Sequence, residues 1–247
     1  MILRPHPDGT LLIGQPAHAL LSGRMADEWA WPYQPRDDVR LAALQHDIGM
    51  AAWDAAPVLD PERGLPYSFT SMPRETHVRL WSQAARLVVA QSPYAALLVS
   101  LHGTGLYERY VPKEQHAVEP VRGYLDAERG FQDRIVAALG ADRDEVDRNT
   151  ALLRCWDWLS LFACTASADD GSLDGVPSAG GTSTLRAHMP GGDPAAVTVN
   201  PWPFLPDEVT VELRGRLLAR PCDSQAALEQ ALAAAPIEAI SVTLRPA

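Results

Sequence analysis

The sequence predicts a mainly α fold, a helical bundle with an N-terminal β-hairpin and a small mixed α/β C-terminal elaboration. Three observations carry that expectation. Apolar residues recur at helical spacing through most of the first two thirds of the chain. Prolines and aspartates stand where those helical stretches begin. From Asp169 to Pro194 the composition turns to Gly, Ser, Asp and Pro, and only short β-like runs follow.

Taken in order, Met1–Arg4 and Thr10–Gly14 flank an Asp8-Gly9 turn and read as a hairpin. Pro16 opens a helix that runs to about Trp29. Asp37-Asp38 cap the next, whose apolar positions Val39, Leu41, Leu44 and Ile48 carry it to about Asp54. Pro57 to Pro73 is a long Pro-rich loop in which Tyr67 and Phe69 either anchor the loop or lid a pocket. Helices are then expected over Arg74–Gln91, Tyr94–Arg109, Pro120–Leu139 and Asp142–Ala166. In the last part, Ala196–Asn200, Val209–Leu218 and Ile240–Leu244 read as strands and Ser224–Ala235 as a helix. These strands can pair with the N-terminal hairpin and so tie the tail to the core. The chain reads as a single domain, 1–247, with a helical core over 15–167 and the elaboration, 168–247, packed on it.

With 247 residues, 47% of them hydrophobic, the chain can bury a substantial core. Its formal charge of −10, from 21 basic against 31 acidic residues, argues against broad binding to nucleic acid or anionic membrane. Lys113 is the only lysine, so a lysine-dependent mechanism has one candidate. Cys155, Cys164 and Cys222 form no metal-binding spacing. Cys155 and Cys164 share a predicted helix that sets them roughly 13 Å apart, beyond disulfide reach. Three thiols in a reducing cytoplasm are the expectation. Arg4, His6 and Asp8 break up the start of the chain, so no signal-peptide pattern is seen. Ala151–Ala166, the most apolar long stretch, carries Arg154 and Asp157 and is too short and charged to span a bilayer. The expected partner is a small-molecule substrate, with the C-terminal part serving as a pocket cap, a homodimer contact, or both.

His18, His46-Asp47, His77, His102 and Asp157 fall one or two to each predicted helix. Imidazole and carboxylate are ligands that suit Zn, Fe and Mn. The set exceeds what one ion needs and suits two ions sharing a carboxylate. His102 follows the apolar run Leu97–Leu101, and Asp157 sits between Trp156 and Trp158. Polar groups on such faces cost several kcal/mol unless paired or metal-bound. A lone helical histidine is usually structural, but this recurrence points to a common centre.

In this order, over Gln15 to Asp157, these residues resemble the HD superfamily of helical metal-dependent enzymes, in its two-metal branch. Gln45-His46-Asp47-Ile48-Gly49 through Trp53-Asp54, with Gly64-Leu65-Pro66-Tyr67-Ser68-Phe69, is also similar to an uncharacterised bacterial subfamily of HD-like proteins. The resemblance implies one metal on His18, His46 and Asp157, a second on His77 and His102, and Asp47 bridging them. It implies two divalent or mixed-valent ions, iron first, with Mn, Zn, Co or Ni as alternatives. Two chemistries follow from it. One is a phosphohydrolase acting on a small phosphorylated substrate. The other is a di-iron oxygenase cleaving a C–C or C–P bond. A non-catalytic, metal-containing binding or regulatory protein is the alternative of a different class.

Met50 departs from the His-Asp-x-Gly-Lys pattern of many HD phosphohydrolases. On a continuous helix it would share a face with His46, and Met cannot neutralise phosphate, although Arg can serve as the anchor. Asp54 is expected at the pocket rim, two turns beyond Asp47. Among the candidate anion contacts Arg24, Arg74, Arg109, Lys113 and Arg154, Arg154 stands out because i,i+3 spacing puts it on the face of Asp157. Asp47, Asp54 and Arg154 are therefore the catalytic candidates. His116 reads as a loop residue, and His6 and His188 as surface residues.

Overall fold

The computed structural model describes the whole chain, Met1–Ala247. β1 (Ile2–His6) and β2 (Gly9–Ile13) form the expected hairpin. α1 (Gln15–Glu28) carries Pro16 in its first turn, where a missing N–H costs nothing. α2 (Arg36–Gln45) has Asp37 and Asp38 in its first turn, favourable against the helix dipole. The chain then leaves the helix. His46 and Asp47 form a turn, one 3₁₀ turn spans Ile48–Met50, and α3 (Ala51–Ala55) resumes. The Pro-rich loop holds a two-stranded ribbon, β3 (Leu59–Asp60) and β4 (Leu65–Pro66).

α4 (Arg74–Val88) and α5 (Pro93–Tyr110) follow, the latter capped by the Ser92 side chain, which accepts from the Ala95 N–H. A short α6 (Lys113–His116) precedes α7 (Val121–Leu139), which ends at Gly140 in the left-handed conformation. α8 (Arg143–Thr165) is capped by Asp142, which accepts from the Glu145 N–H. Then come β5 (Asp170–Ser178), β6 (Gly181–His188), β7 (Ala196–Asn200), β8 (Val209–Leu218), α9 (Gln225–Ala234) and β9 (Ile237–Pro246).

Seven of these strands form one mixed sheet in the order β1-β2-β8-β9-β7-β6-β5. All neighbours are antiparallel except β7 and β9. The N-terminal hairpin thus pairs with β8, and the two ends of the chain share a sheet. α1 and α8 pack against it. Strand alternation decides what each face buries. Leu185, Val197, Val199, Leu213, Ile240 and Val242 join the same apolar core as Leu21, Met25, Leu97 and Trp156 of the helices. Met1, Leu12 and Leu218 form a second cluster with Leu228 and Leu232 of α9. Thr210, Glu212, Arg214 and Ser241 are exposed.

This architecture overturns the mainly α, HD-like bundle. The chain is 50% helix and 23% strand, and its sheet is a main structural layer rather than a small elaboration. The physical reason lies largely in β5 and β6. Their strands are rich in Gly, Ser, Thr and Asp, residues that read as connector, yet they pair over most of their length across a turn at Ala179-Gly180. The second expected helix also differs, because it breaks at His46 rather than continuing to Asp54.

Candidate metal centre

Four elements deliver the buried polar residues. His18 comes from α1, His46 and Asp47 from the turn that ends α2, His102 from α5 and Asp157 from α8. α1 packs on α2 and α8, and α5 packs on the same two, so the side chains meet inside. His18 and His46 are 0% exposed, His102 2%, Asp47 4% and Asp157 6%, so the cluster is buried as a whole. The break in α2 turns two consecutive side chains inward. Asp47 sits at φ −103°, ψ 15°, in the bridge region between helix and strand. Gly49 follows because a Cβ there would collide with the Leu80 carbonyl, so only glycine lets α4 pack on this turn.

His18 Nε2 lies 2.7 Å from Asp47 Oδ2, and His46 Nε2 lies 3.2 Å from Asp157 Oδ1 and 3.7 Å from Asp47 Oδ2. His102 Nε2 is 3.6 Å from the other Asp157 oxygen. The outer nitrogens are anchored. His46 Nδ1 lies 2.9 Å from the Ala43 carbonyl, which can only accept, so that nitrogen carries a proton. His18 Nδ1 lies 2.8 Å from Ser160 Oγ. The Ser160 hydroxyl donates to the Asp157 backbone carbonyl at 2.8 Å, leaving its oxygen to accept from His18 Nδ1–H and from Ser22. Both histidines therefore present Nε2 to the interior. Metal-ligating histidines are commonly oriented in this way.

The electrostatics form a closed set. Burial pulls the His46 imidazole down, but Asp47 and Asp157 outweigh it and hold it up at about 9. Burial raises Asp47, yet His46 and His18 hold it well below the usual carboxylate range. Burial likewise raises Asp157, and the His46 hydrogen bond and His102 bring it below its ordinary value. Burial pushes His102 down to about 4. The only ion-pair partners of the two carboxylates are these histidines. The positive charge that balances the two buried carboxylates must therefore come from the histidines or from a bound cation.

The donor set fits a divalent cation. Ligand atoms of His18, His46 and Asp157 lie within 4.8 Å of one another, and Asp47 stands beside His18 and His46. Imidazole and carboxylate suit Zn or Mn. The Nδ1 atom of His102 is buried with no partner, a vacancy in hydrogen bonding unusual for a folded interior.

The other expected residues fall as follows. His77 is half-buried on α4, with Nδ1 2.5 Å from the Tyr107 hydroxyl, and burial together with Arg74 pushes it down to about 4. Asp54 is joined to the Met1 amino group at 2.7 Å and accepts from the Gln15 N–H at 2.5 Å. It ties the start of α1 to α3 and has no contact with the histidines. Arg154 donates to the Asp174 carbonyl at 2.7 Å. Met50 is 1% exposed within the apolar core, because the break in α2 removes the continuous helix that would have aligned it with His46. His116 is bonded to the Tyr107 and Val111 carbonyls, His188 to Asp170, and His6 lies near Asp8. All three cysteines are free. No helix is long and apolar enough to cross a membrane.

Sequence reasoning missed the two anchors, Ser160 and Tyr107. Ser160 had a signal. It lies three residues beyond Asp157, one turn along the same apolar helix. Tyr107, five residues beyond His102, had none, because its partner His77 lies on another helix.

The chain matches a family described as proteins of unknown function, DUF3891, over residues 1–220, and it belongs to that family. No curated protein and no solved structure matches it. Membership in DUF3891, together with the seven-stranded sheet, replaces the HD resemblance. The expectation of iron rested on that resemblance and falls with it, and neither the phosphohydrolase nor the di-iron oxygenase reading keeps that support.

Proposed function

We propose that this member of the DUF3891 family binds a divalent transition-metal ion between His18, His46, Asp47 and Asp157 and hydrolyses a small phosphorylated substrate. The observation that carries the reading is the outward anchoring of His18 on Ser160 and of His46 on Ala43, which leaves both Nε2 atoms facing two ionised carboxylates. Two buried carboxylates faced only by histidines, with no arginine or lysine partner, form a donor set whose negative charge a divalent cation would neutralise. When bound, such an ion supplies Lewis acidity and activates water at neutral pH. The chain's own residues do the rest. His18 and His46, closed to solvent, hold the geometry, and Asp47 and Asp157 supply the negative charge beside them.

The test is hydrolysis of a panel of phosphomonoesters and phosphodiesters by protein loaded with Zn or Mn. Activity that disappears with chelator and in His46→Ala is expected. Metal-loaded protein that hydrolyses nothing across the panel would contradict the hydrolase reading.

A further inference from the structure

His77 differs from the histidines of the centre in the kind of partner that holds its ring. On His18 and His46 the partner of Nδ1 accepts, so each ring carries its proton there and turns a bare Nε2 inward. On His77 the partner of Nδ1 is the Tyr107 hydroxyl, 2.5 Å away. Tyr107 is 1% exposed, and His77 Nδ1 is the one hydrogen-bond partner of its hydroxyl. A buried hydroxyl hydrogen without an acceptor is costly, so this one points at Nδ1. Burial raises the Tyr107 phenol above its ordinary value, so it keeps that hydrogen. Nδ1 therefore accepts, and a neutral imidazole that accepts at Nδ1 carries its proton on Nε2. Burial pushes His77 down to about 4, which keeps the ring neutral near pH 7.

The placement of His77 agrees. Its Nε2 makes no hydrogen bond within the protein and is not among the enclosed polar atoms that lack a partner, so it opens to solvent. The ligand atoms that gather within 4.8 Å of one another belong to His18, His46 and Asp157, not to His77. The His77 ring meets that of Trp81 at 6.3 Å between centroids, and Trp81 in turn meets His102 at 5.8 Å. The indole of Trp81 thus stands next to both imidazoles. Metal ions bind a ring nitrogen through its lone pair, so the ligand must be free of a proton at that atom. An Nε2 that carries hydrogen has no lone pair to give.

We infer that Tyr107 locks His77 as an outward Nε2–H donor that stays out of the coordination shell, and that the centre takes a single divalent ion. The ion count rests on the metal reading of the centre. Without His77, a second ion would have His102 and only those carboxylates that already face His18 and His46. Two-ion sites hold the attacking and the leaving oxygen of a displacement on separate ions. A single-ion centre does not, and His77 is a positioned donor beside it rather than a ligand within it.

The experiment is long-range proton–nitrogen correlation NMR on nitrogen-labelled full-length protein, first free of metal and then with Zn added, beside a Zn titration against a chromophoric chelator. His77→Gln identifies the His77 signals. Without metal, His77 is expected as the Nε2–H tautomer, and Tyr107→Phe should move its Nδ1 resonance because the hydrogen bond is lost. With Zn, the Nε2 resonances of His18 and His46 should shift while those of His77 stay in place, and uptake should saturate at a single Zn per chain. His77→Gln should leave Zn affinity unchanged, where loss even of an outer partner of a ligand weakens it about 10–100-fold. A His77 ring protonated on Nδ1, an Nδ1 resonance that Tyr107→Phe leaves in place, a Zn-induced shift of His77 Nε2, or uptake of a second Zn overturns the proposal. The two readings fail separately. Zn uptake that shifts His77 sinks only the lock, whereas a Tyr107-dependent Nε2–H tautomer in protein that takes up no Zn supports the lock and sinks the metal reading.

Discussion

His46 Nε2 and Asp157 Oδ1 lie 3.2 Å apart across 111 residues of chain, joining the broken end of α2 to the middle of α8. The contact is made inside the protein, with His46 fully buried and Asp157 nearly so. A buried charge pair is weak evidence for stability, but removal of one member is costly.

Asp157→Asn keeps the shape and removes one of the two charges facing His46. The expected outcome is loss of bound metal to below about a tenth of the wild-type content, since an amide is a poor ligand for these ions. Chelator-treated variant should also unfold at lower urea concentration than chelator-treated wild type, by about 3 kcal/mol. Unchanged metal content on elemental analysis would remove Asp157 from the ligand set.

Ser160→Ala tests orientation rather than ligation. The hydroxyl oxygen that accepts from His18 Nδ1 disappears, and His18 Nε2 is no longer fixed toward Asp47. Loss of such an outer partner typically weakens metal affinity about 10–100-fold. Competition with a chromophoric chelator measures this, and circular dichroism should show an unchanged fold.

Gly49→Ala puts a methyl group against the Leu80 carbonyl. The turn bearing His46-Asp47 and helix α4 must separate, at a cost of about 1–3 kcal/mol. A fall in Tm of about 3–10 °C is expected from a domain of this size. A melting temperature equal to wild type would show that the approach of α4 to the turn is not tight.

The buried thiols give a pH signature independent of the metal. Burial pushes Cys155 and Cys164 up to about 12, above the ordinary 9.0. A raised thiol contributes stability that is complete below pH 9 and is lost as pH rises toward 12, because only the unfolded chain ionises readily in that interval. Resistance to urea should therefore decline over that window, and Cys155→Ala/Cys164→Ala should flatten the decline. At pH 8 a thiol reagent should titrate Cys222 alone in native protein and all three cysteines in denaturant. Rapid native labelling of Cys155 or Cys164 would contradict their burial.

The helices were legible because each announces itself locally. Pro16, Asp142 and the apolar periodicity of α5 act within a few residues of where they are written. Histidines and aspartates on those helices could be picked out for the same reason. What was not legible depends on distant partners. β5 and β6 are strands because they pair with each other and β6 with β7, not because their residues favour strands. Asp54 looks like a rim carboxylate until Met1 and Gln15 are seen to hold it. The break at His46 was hidden because Ile48 and Met50 continue an apolar pattern, although packing against α4 imposes a 3₁₀ turn there.

The most direct test of the central claim is elemental analysis of protein purified without chelator, before and after incubation with Zn or Mn. The account predicts at least about one equivalent of a transition metal per chain, and little in His46→Ala or Asp47→Ala. Wild-type protein that holds no transition metal, even after incubation, would contradict it.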